Sequence, residues 1–285
     1  MIPGSATLTW TAVLICAALP KIAEAQQDTL SVSASNVRLF QSYFSDARIT
    51  GRPYIGAEPS FSSFGDADIV QLYARGGYTV NPQVEVEGQL GYRRVGLDGD
   101  NSGSGLTDLV VTARYLFVDT GDYDIAGGAY LDLPTGDESI GAGEFDFGFY
   151  GALRSPVTNR VTLTGTLGVD FVKGAGFFAP TICLPAPPSP GPFPLPSICS
   201  PEITAEGDRE VSINLGGGVI VRTAQDALHI VSELRIEPEF DYAAISGGPD
   251  YYMPAIGRIR GALVIGVDDG SPDFALLAQI VRALR

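Results

Sequence analysis

The feature that most limits the fold of this chain is an alternation of apolar and polar residues at every second position. Between residues 84 and 93 the two faces carry Val84, Val86, Leu90 and Tyr92 on one side and Glu85, Glu87, Gln89 and Arg93 on the other. Because successive side chains of a strand point to opposite faces, this spacing predicts strands with one apolar and one charged face. The pattern recurs over 144–154, 161–171 and 210–222 and, with more noise, over 107–117.

Two features favour a barrel in lipid over a soluble sandwich, whose strands also alternate. The polar faces carry full charges opposite strongly apolar faces, as expected when water fills a lumen and lipid covers the outside. The connections also alternate in length, short near 81–82, 119–121, 156–159 and 224–226 and long over 97–106, 135–143, 174–208 and 239–250. The sequence therefore predicts an all-β fold, a closed antiparallel transmembrane β-barrel of about twelve strands.

Further strands are predicted over 68–80, 227–238, 250–257, 261–268 and 272–283, with a tight turn at Arg258 to Arg260. Closure then needs one more strand, which the rhythm of the connections puts near 52–62. Pro53 and Pro59 count against that segment, because proline cannot donate a hydrogen bond to a ladder. Residues 31–44 are the alternative.

The N-terminus has the features of an export signal. An apolar run from Thr11 to Leu19, too short to span a membrane as a helix, precedes Ala23-Glu24-Ala25, a small-x-small cleavage pattern. We expect a signal peptide over 1–25, cleaved near Ala25, and an N-terminal periplasmic segment or first-strand lead-in over 26–50. Residues 51–285 are then a barrel in the bacterial outer membrane, with outer-membrane lipid around it.

Composition excludes several functions. A net charge of -15 argues against nucleic acid, whose phosphates need a basic face. The single histidine, His229, lies three residues from Ser232, on the opposite face of a predicted strand, so neither a catalytic pair nor an enzyme is expected. The oxygen-rich segment 96–103 lacks the ligand order of a calcium loop, and we expect neither a metal nor a cofactor.

A proline-rich segment lies between Cys183 and Cys199 in the predicted extracellular loop 174–208. Its seven prolines rule out a helix or a paired strand. In an exported protein we expect the two cysteines to form a disulfide. A loop closed by this disulfide either gates the barrel mouth or is a surface loop without a role in transport.

If the alternation holds, a set of ionisable side chains points into the lumen. These are Glu85, Glu87, Arg93, Asp108, Arg114, Asp124, Asp132, Glu144, Asp146, Arg154, Asp170, Glu210, His229, Glu233 and Arg235. They are interpreted either as a self-neutralising network that fills the interior or as a cation-leaning or amphipathic solute path.

Three short strings carry a family resemblance: Gly105 to Tyr115, Tyr130 to Asp137 with its Leu-Pro-Thr-Gly-Asp sequence, and Asp268 to Phe274. They resemble the outer-membrane transporter-like family associated with the meta pathway of phenol degradation. The resemblance implies an outer-membrane barrel that helps hydrophobic or aromatic compounds across, and it carries over no catalytic residue. The proline-rich loop and the non-aromatic terminal Arg285 depart from the family pattern.

Together these patterns predict an outer-membrane channel or facilitated transporter for small, hydrophobic or aromatic solutes. The alternative is a plugged barrel that acts as a structural or surface-binding protein. The identity of the solute, the openness of the lumen and the oligomeric state are left open by the sequence.

Overall fold

The computed structural model describes residues 37–65, 67–97, 102–137, 140–141, 143–173 and 209–284. In these residues thirteen strands form one antiparallel sheet. They are β1 (Tyr54–Phe64), β2 (Ala67–Asn81), β3 (Val84–Leu97), β4 (Ser102–Leu106), β5 (Leu109–Asp119), β6 (Asp124–Leu133), β7 (Asp146–Pro156), β8 (Val161–Val172), β9 (Glu210–Arg222), β10 (Leu228–Glu237), β11 (Tyr242–Met253), β12 (Gly257–Gly266) and β13 (Phe274–Ala283). The predicted signal peptide and the Cys183–Cys199 disulfide lie outside the described residues.

The sheet closes on itself as a ring of twelve strands. Strands β4 and β5 pair with successive parts of β3, Leu106 opposite Tyr92 and Val110 opposite Gln89, so together they form one interrupted strand. Strand β1 pairs with β2 on one side and with β13 on the other, which completes the ring. A closed ring leaves no edge with unpaired backbone groups, the condition that a hydrocarbon environment imposes. The prediction of a closed antiparallel twelve-strand transmembrane barrel is confirmed.

The predicted first strand near 52–62 is also confirmed, and the structure shows how it accommodates Pro59. Pro59 pairs with Leu72 of β2. On the β13 side, the ladder pairs Ala57 with Ile280 and resumes at Ser60 with Leu277. The missing N–H of proline therefore falls in a short interruption of the seam between β1 and β13.

The two faces of the sheet differ as the alternation predicts. Large apolar side chains point outward, with Phe117 62%, Phe149 56% and Leu167 56% exposed. The inward rows contain buried charges such as Glu85 and Arg114. Across the described part of the chain, no helix has the length and apolar character needed to cross a membrane. Because the exposed side chains of the strands are apolar and the buried ones include the charges, the apolar surface is the outside of the barrel.

Connections of two to five residues, at 82–83, 120–123, 157–160, 223–227 and 254–256, mark one end of the barrel, which we call the short-turn end. The opposite ends of the strands, which we call the long-loop end, are joined in the sequence by 65–66, 98–101, 134–145, 173–209, 238–241 and 267–273.

Three predicted connections are wrong. The second half of the long connection 97–106 is strand β4, and most of the long connection 239–250 belongs to β11. The predicted turn at Arg258 to Arg260 belongs to β12, with the turn itself at 254–256. A Cβ at Gly248 of β11 would lie 1.8 Å from the Gly261 carbonyl oxygen. Glycine is needed there because the neighbouring backbone comes so close.

The outward position of Leu167, midway along β8, gives a stability test. Replacing Leu167 with Arg puts a charge against hydrocarbon and should lower the free energy of unfolding by about 2–4 kcal/mol. Val157→Arg, at an equally exposed site in the 157–160 turn, should cost no more than about 1 kcal/mol. Denaturant titration of the folded barrel in lipid vesicles measures both, and equal costs would contradict a lipid-facing β8.

Candidate functional site: a segment inside the barrel

Residues 37–50 lie inside the barrel, and we call this segment the plug. Val37, Leu39 and Phe40 form a buried cluster with Ile220 and other residues of the inner wall. A second cluster joins Ala47 and Ile49 to the inward side chains Leu116, Ala126 and Ala152. From the sequence, 26–50 is predicted to be an N-terminal periplasmic segment or a lead-in to the first strand. The described part of that range, 37–50, lies in the lumen with its apolar side chains buried and continues into β1.

The plug turns back on itself between Phe40 and Arg48, and Asp46 holds the turn together. One Asp46 oxygen accepts from the Arg48 N–H at 2.9 Å and the other from the Leu39 N–H at 3.3 Å. Burial on its own would raise the pKa of Asp46, but Arg154 and the Arg48 N–H hold that pKa below its ordinary value. Asp46 is therefore charged at neutral pH and pairs with Arg154 at 3.2 Å.

Two glutamates of β3 hold the plug at the short-turn end. Arg38 of the plug forms ion pairs with both Glu85 and Glu87. Arg114 of the wall also pairs with Glu87, at 2.6 Å. The Thr50 N–H donates to Glu85 at 2.7 Å. Since these groups are buried, each charge depends on its partner to offset desolvation.

Glu233 of β10 binds residues 40–42, which we call the apex of the plug. Its carboxylate accepts the backbone N–H groups of Phe40 at 2.9 Å, Gln41 at 2.8 Å and Ser42 at 2.8 Å, and the Ser42 hydroxyl at 2.5 Å. One side chain thus satisfies three consecutive backbone donors that have no strand partner.

Arginines of the wall satisfy the carbonyl groups of the plug in the same way. Arg154 donates to the Val37 oxygen at 2.7 Å, and Arg114 to the Phe44 oxygen at 2.7 Å. Arg260 of β12 donates to the Arg38 carbonyl. The plug needs no secondary structure of its own, because wall side chains replace the backbone partners that a strand would supply.

Two cavities lie beside the apex of the plug, toward the long-loop end. The larger has a volume of about 120 Å³. It is lined by residues of the plug and of the inner wall: Phe40, Gln41, Tyr43, Phe44, Glu58, Ser60, Ser62, Phe64, Ile69, Gln71, Tyr73, Arg75, Gln89, Arg93, Arg235, Tyr242, Val264, Pro272, Ala275 and Leu277. The smaller, of about 80 Å³, lies against Val110, Tyr130 and Val172. Gln41, Phe44 and Arg235 line both cavities, so the plug forms part of the wall of each.

The residues predicted to face the lumen separate into three groups. Those that bond to the plug are Glu85, Glu87, Arg114, Asp124, Arg154, Glu233 and Arg235. Those toward the long-loop end are Arg93, Asp108, Asp132, Glu144, Asp146, Asp170 and Glu210, of which Glu210 is solvent-exposed at the start of β9. His229 is buried near the short-turn end, opposite Asp250 in the neighbouring strand.

The geometry separates the two residues considered for catalysis. His229 is fully buried on the inner face, whereas Ser232 lies on the exposed outer face of the same strand. Among the described residues, no group of His, Cys, Asp and Glu is arranged to hold a metal ion.

Sequence reasoning missed several lumen residues. Arg75, Arg260 and Asp250 face inward and are buried. The apolar residues Ile69 and Val264 are also inward and buried. Ile69 and Arg75 are separated by an even number of positions in the predicted strand 68–80, so assigning alternate residues of that strand to the inner face would have identified both. Asp250 and Arg260 fell in segments where the turn was misplaced.

The comparisons with known proteins agree with this architecture. A family model described as "Putative MetA-pathway of phenol degradation" matches residues 55–174, which confirms the family resemblance. The COG4313 outer membrane channel from Pseudomonas putida F1 has a TM-score of 0.59 at 13% identity, covering 84% of this chain and 98% of that one. The KdgM porin has a TM-score of 0.52 at 10% identity, covering 81% and 99%. A search of curated proteins finds no match. At these identities the two solved structures establish a shared fold.

Glu233→Gln tests how the plug is held. An amide keeps the shape of the side chain but loses the charge that three N–H groups share, which should weaken the apex by about 1–3 kcal/mol. Backbone amides of Phe40, Gln41 and Ser42 should then exchange with deuterium about tenfold faster or more, as read by mass spectrometry. Glu144→Gln is the control, since Glu144 pairs with Lys173 at the long-loop end. Unchanged exchange at the apex in E233Q would contradict this anchoring role.

Proposed function

We propose, from the premise that residues 55–174 belong to the phenol-degradation family, that this chain is a gated outer-membrane channel for small hydrophobic or aromatic solutes. The plug is the gate. The observation that carries the proposal is that residues 37–50 occupy the lumen while the wall around them forms a complete ring. A solute that crosses through the lumen therefore has to displace or pass the plug.

The orientation follows from the two ends of the barrel. Outer-membrane barrels turn tightly on the periplasmic side and carry long loops outside. The short-turn end is then periplasmic, and the plug, which leads directly into β1, enters from that side. The cavities beside its apex are on the side from which an external solute arrives.

The lumen beside the plug has a composition that suits such a solute. Charged inward side chains such as Glu85 and Arg114 bond to the plug near the short-turn end. Toward the long-loop end, the apolar side chains Phe64, Ile69, Val264 and Leu277 line the larger cavity together with polar ones. Pockets for small organic molecules combine apolar walls with a few placed polar groups, and the larger cavity has this composition.

A fixed plug that makes the barrel a structural or surface-binding protein is the second candidate. The observation in its favour is the number of buried charged contacts between plug and wall, among them those of Arg38, Arg154 and Glu233. Breaking one buried pair typically costs 3–5 kcal/mol, so moving the whole segment requires these groups to find other partners.

A reversible cross-link between plug and wall separates these two functions. A Cβ at Gly216 of β9 would lie 3.6 Å from the Ser42 Cβ, within the range for a disulfide. The double variant Ser42→Cys/Gly216→Cys, with Cys183 and Cys199 replaced by Ser, should cross-link when oxidised. We expect liposome uptake of small aromatic solutes to be abolished in the oxidised form and restored by reductant.

Uptake by each single-cysteine variant should be the same with and without reductant. A chain lacking residues 26–50 should take up the solutes in both conditions, as expected of a permanently open lumen. Equal uptake by the oxidised and reduced double variant would contradict the proposal that the plug gates the lumen. If the double variant shows no uptake in either redox state but the shortened chain does, the result would support the fixed plug.

A further inference from the structure

The larger cavity has one apolar and one polar wall. Val264 of β12 and Ala275 and Leu277 of β13 form the apolar side. The neighbouring strands β1, β2 and β3 contribute polar groups, among them Arg75 and Gln89. A volume of about 120 Å³ is comparable with the roughly 150 Å³ cavity known to hold a benzene ring. The cavity therefore has space for one ring-sized apolar body with a polar group at one side.

Arg75 lines this cavity with part of its hydrogen-bonding capacity unused. Its side chain is 4% exposed, and one terminal nitrogen donates to Glu58 at 2.5 Å. Its Nε and its other terminal nitrogen are buried and have no partner among the described residues. The guanidinium carbon lies over two aromatic rings of the plug, 4.5 Å from the Tyr43 ring centre and 5.0 Å from the Phe44 ring centre. Two donor nitrogens of one buried, charged guanidinium are thus held in place without an acceptor.

A second unpartnered polar group lies beside Arg75. Gln89 is directly opposite Arg75 across the β2–β3 ladder, and its buried Oε1 has no hydrogen-bond partner among the described residues. Its amide can present either the oxygen or the NH2 group by a half-turn of the side chain. Arg75 and Gln89 together can therefore donate to both oxygens of one carboxylate.

The charges around the cavity favour an anion. Arg75 and Arg93 line it against one carboxylate, Glu58, which leaves a formal charge of +1, and the third lining arginine, Arg235, pairs with Glu237 at 2.6 Å. This local excess is notable because the whole chain carries -15. Buried guanidinium donors without an acceptor cost free energy that a bound carboxylate recovers through charge-assisted hydrogen bonds.

From this arrangement we infer that the larger cavity is a binding site for a small aromatic carboxylate. Its ring packs between the side chains of Val264 and Leu277 and those of the plug, and its carboxylate accepts from Arg75 and Gln89. The inference rests on the proposed function in that the bound acid is the solute that the gated channel admits. It narrows the solute class from aromatic compounds in general to aromatic monoanions.

Calorimetric titration of the folded, detergent-solubilised full-length protein tests this inference with three probes of matched size: benzoate, benzyl alcohol and benzylamine. We expect benzoate to bind most tightly and benzylamine not at all. Arg75→Gln should weaken benzoate binding about 10- to 100-fold, since a hydrogen bond to a charged group contributes about 1.5–3 kcal/mol. Arg94→Gln is the matched control, because Arg94 is the next residue to Arg93 but points outward from β3. It should bind benzoate as the unmodified protein does.

Because Arg75 also stacks on the plug, Gln89→Leu provides a variant that leaves those contacts in place, and it should weaken benzoate binding several-fold. The mobility of unboiled protein on a detergent gel shows whether each variant is folded. Equal binding of benzoate and benzyl alcohol, or benzoate binding unaffected by either variant, would overturn the inference. The cross-linkable variant could take up benzyl alcohol in a redox-sensitive way while the protein fails to bind benzoate. That result would support the gated channel and contradict only the carboxylate site. Absence of both binding and uptake would count against both proposals.

Discussion

The pairing of every strand with two neighbours is the constraint on which the rest of this structure depends. In hydrocarbon a backbone N–H or C=O without a partner costs several kcal/mol, so the sheet has to close, and β1 meets β13 despite Pro59. The twelve strands of the closed ring set its circumference, and alternate side chains of each strand point into a narrow interior. The charged residues that alternation excludes from the lipid face, such as Glu85 and Arg114, are thereby forced into a space where they need partners.

The plug supplies many of those partners, and the wall supplies those of the plug. Arg38 neutralises glutamates of β3, whereas Glu233 and Arg154 satisfy the backbone of the plug. The exchange is mutual because an irregular segment cannot be buried with its own backbone groups unpaired, and the wall carboxylates cannot be buried without cations. The position of the plug is therefore specified by polar complementarity, and the apolar contacts of Val37, Leu39 and Ile49 add burial to it.

The sequence predicted the barrel well because its signal is local. A strand that has lipid on one side and a wet lumen on the other shows its period over ten residues, as 84–93 and 161–171 do. It predicted β11 poorly because Gly247, Gly248 and Pro249 resemble a loop, and only the close approach of the Gly261 carbonyl explains the glycine at 248. The plug left no periodic signal. Its fold is determined by contacts with residues such as Glu233, 191 to 193 positions away along the chain.

The inward-facing side chains include both charged and apolar groups, and their order along the strands connects the proposed binding site to the proposed gate. On β12 the row runs from Arg258 and Arg260 near the short-turn end to Ala262 and Val264 farther up, so charge gives way to apolar surface within one strand. Arg75 contacts both the plug and the cavity, because its guanidinium lies over the Tyr43 and Phe44 rings and its side chain lines the cavity. A solute that accepts hydrogen bonds from Arg75 therefore touches a residue that also contacts the plug. If the plug moves as proposed, any difference in the affinity of the solute between the two plug positions shifts the balance between those positions. A polar solute bound at Arg75 is better placed to act on the proposed gate than an apolar one that contacts only Val264 and Leu277.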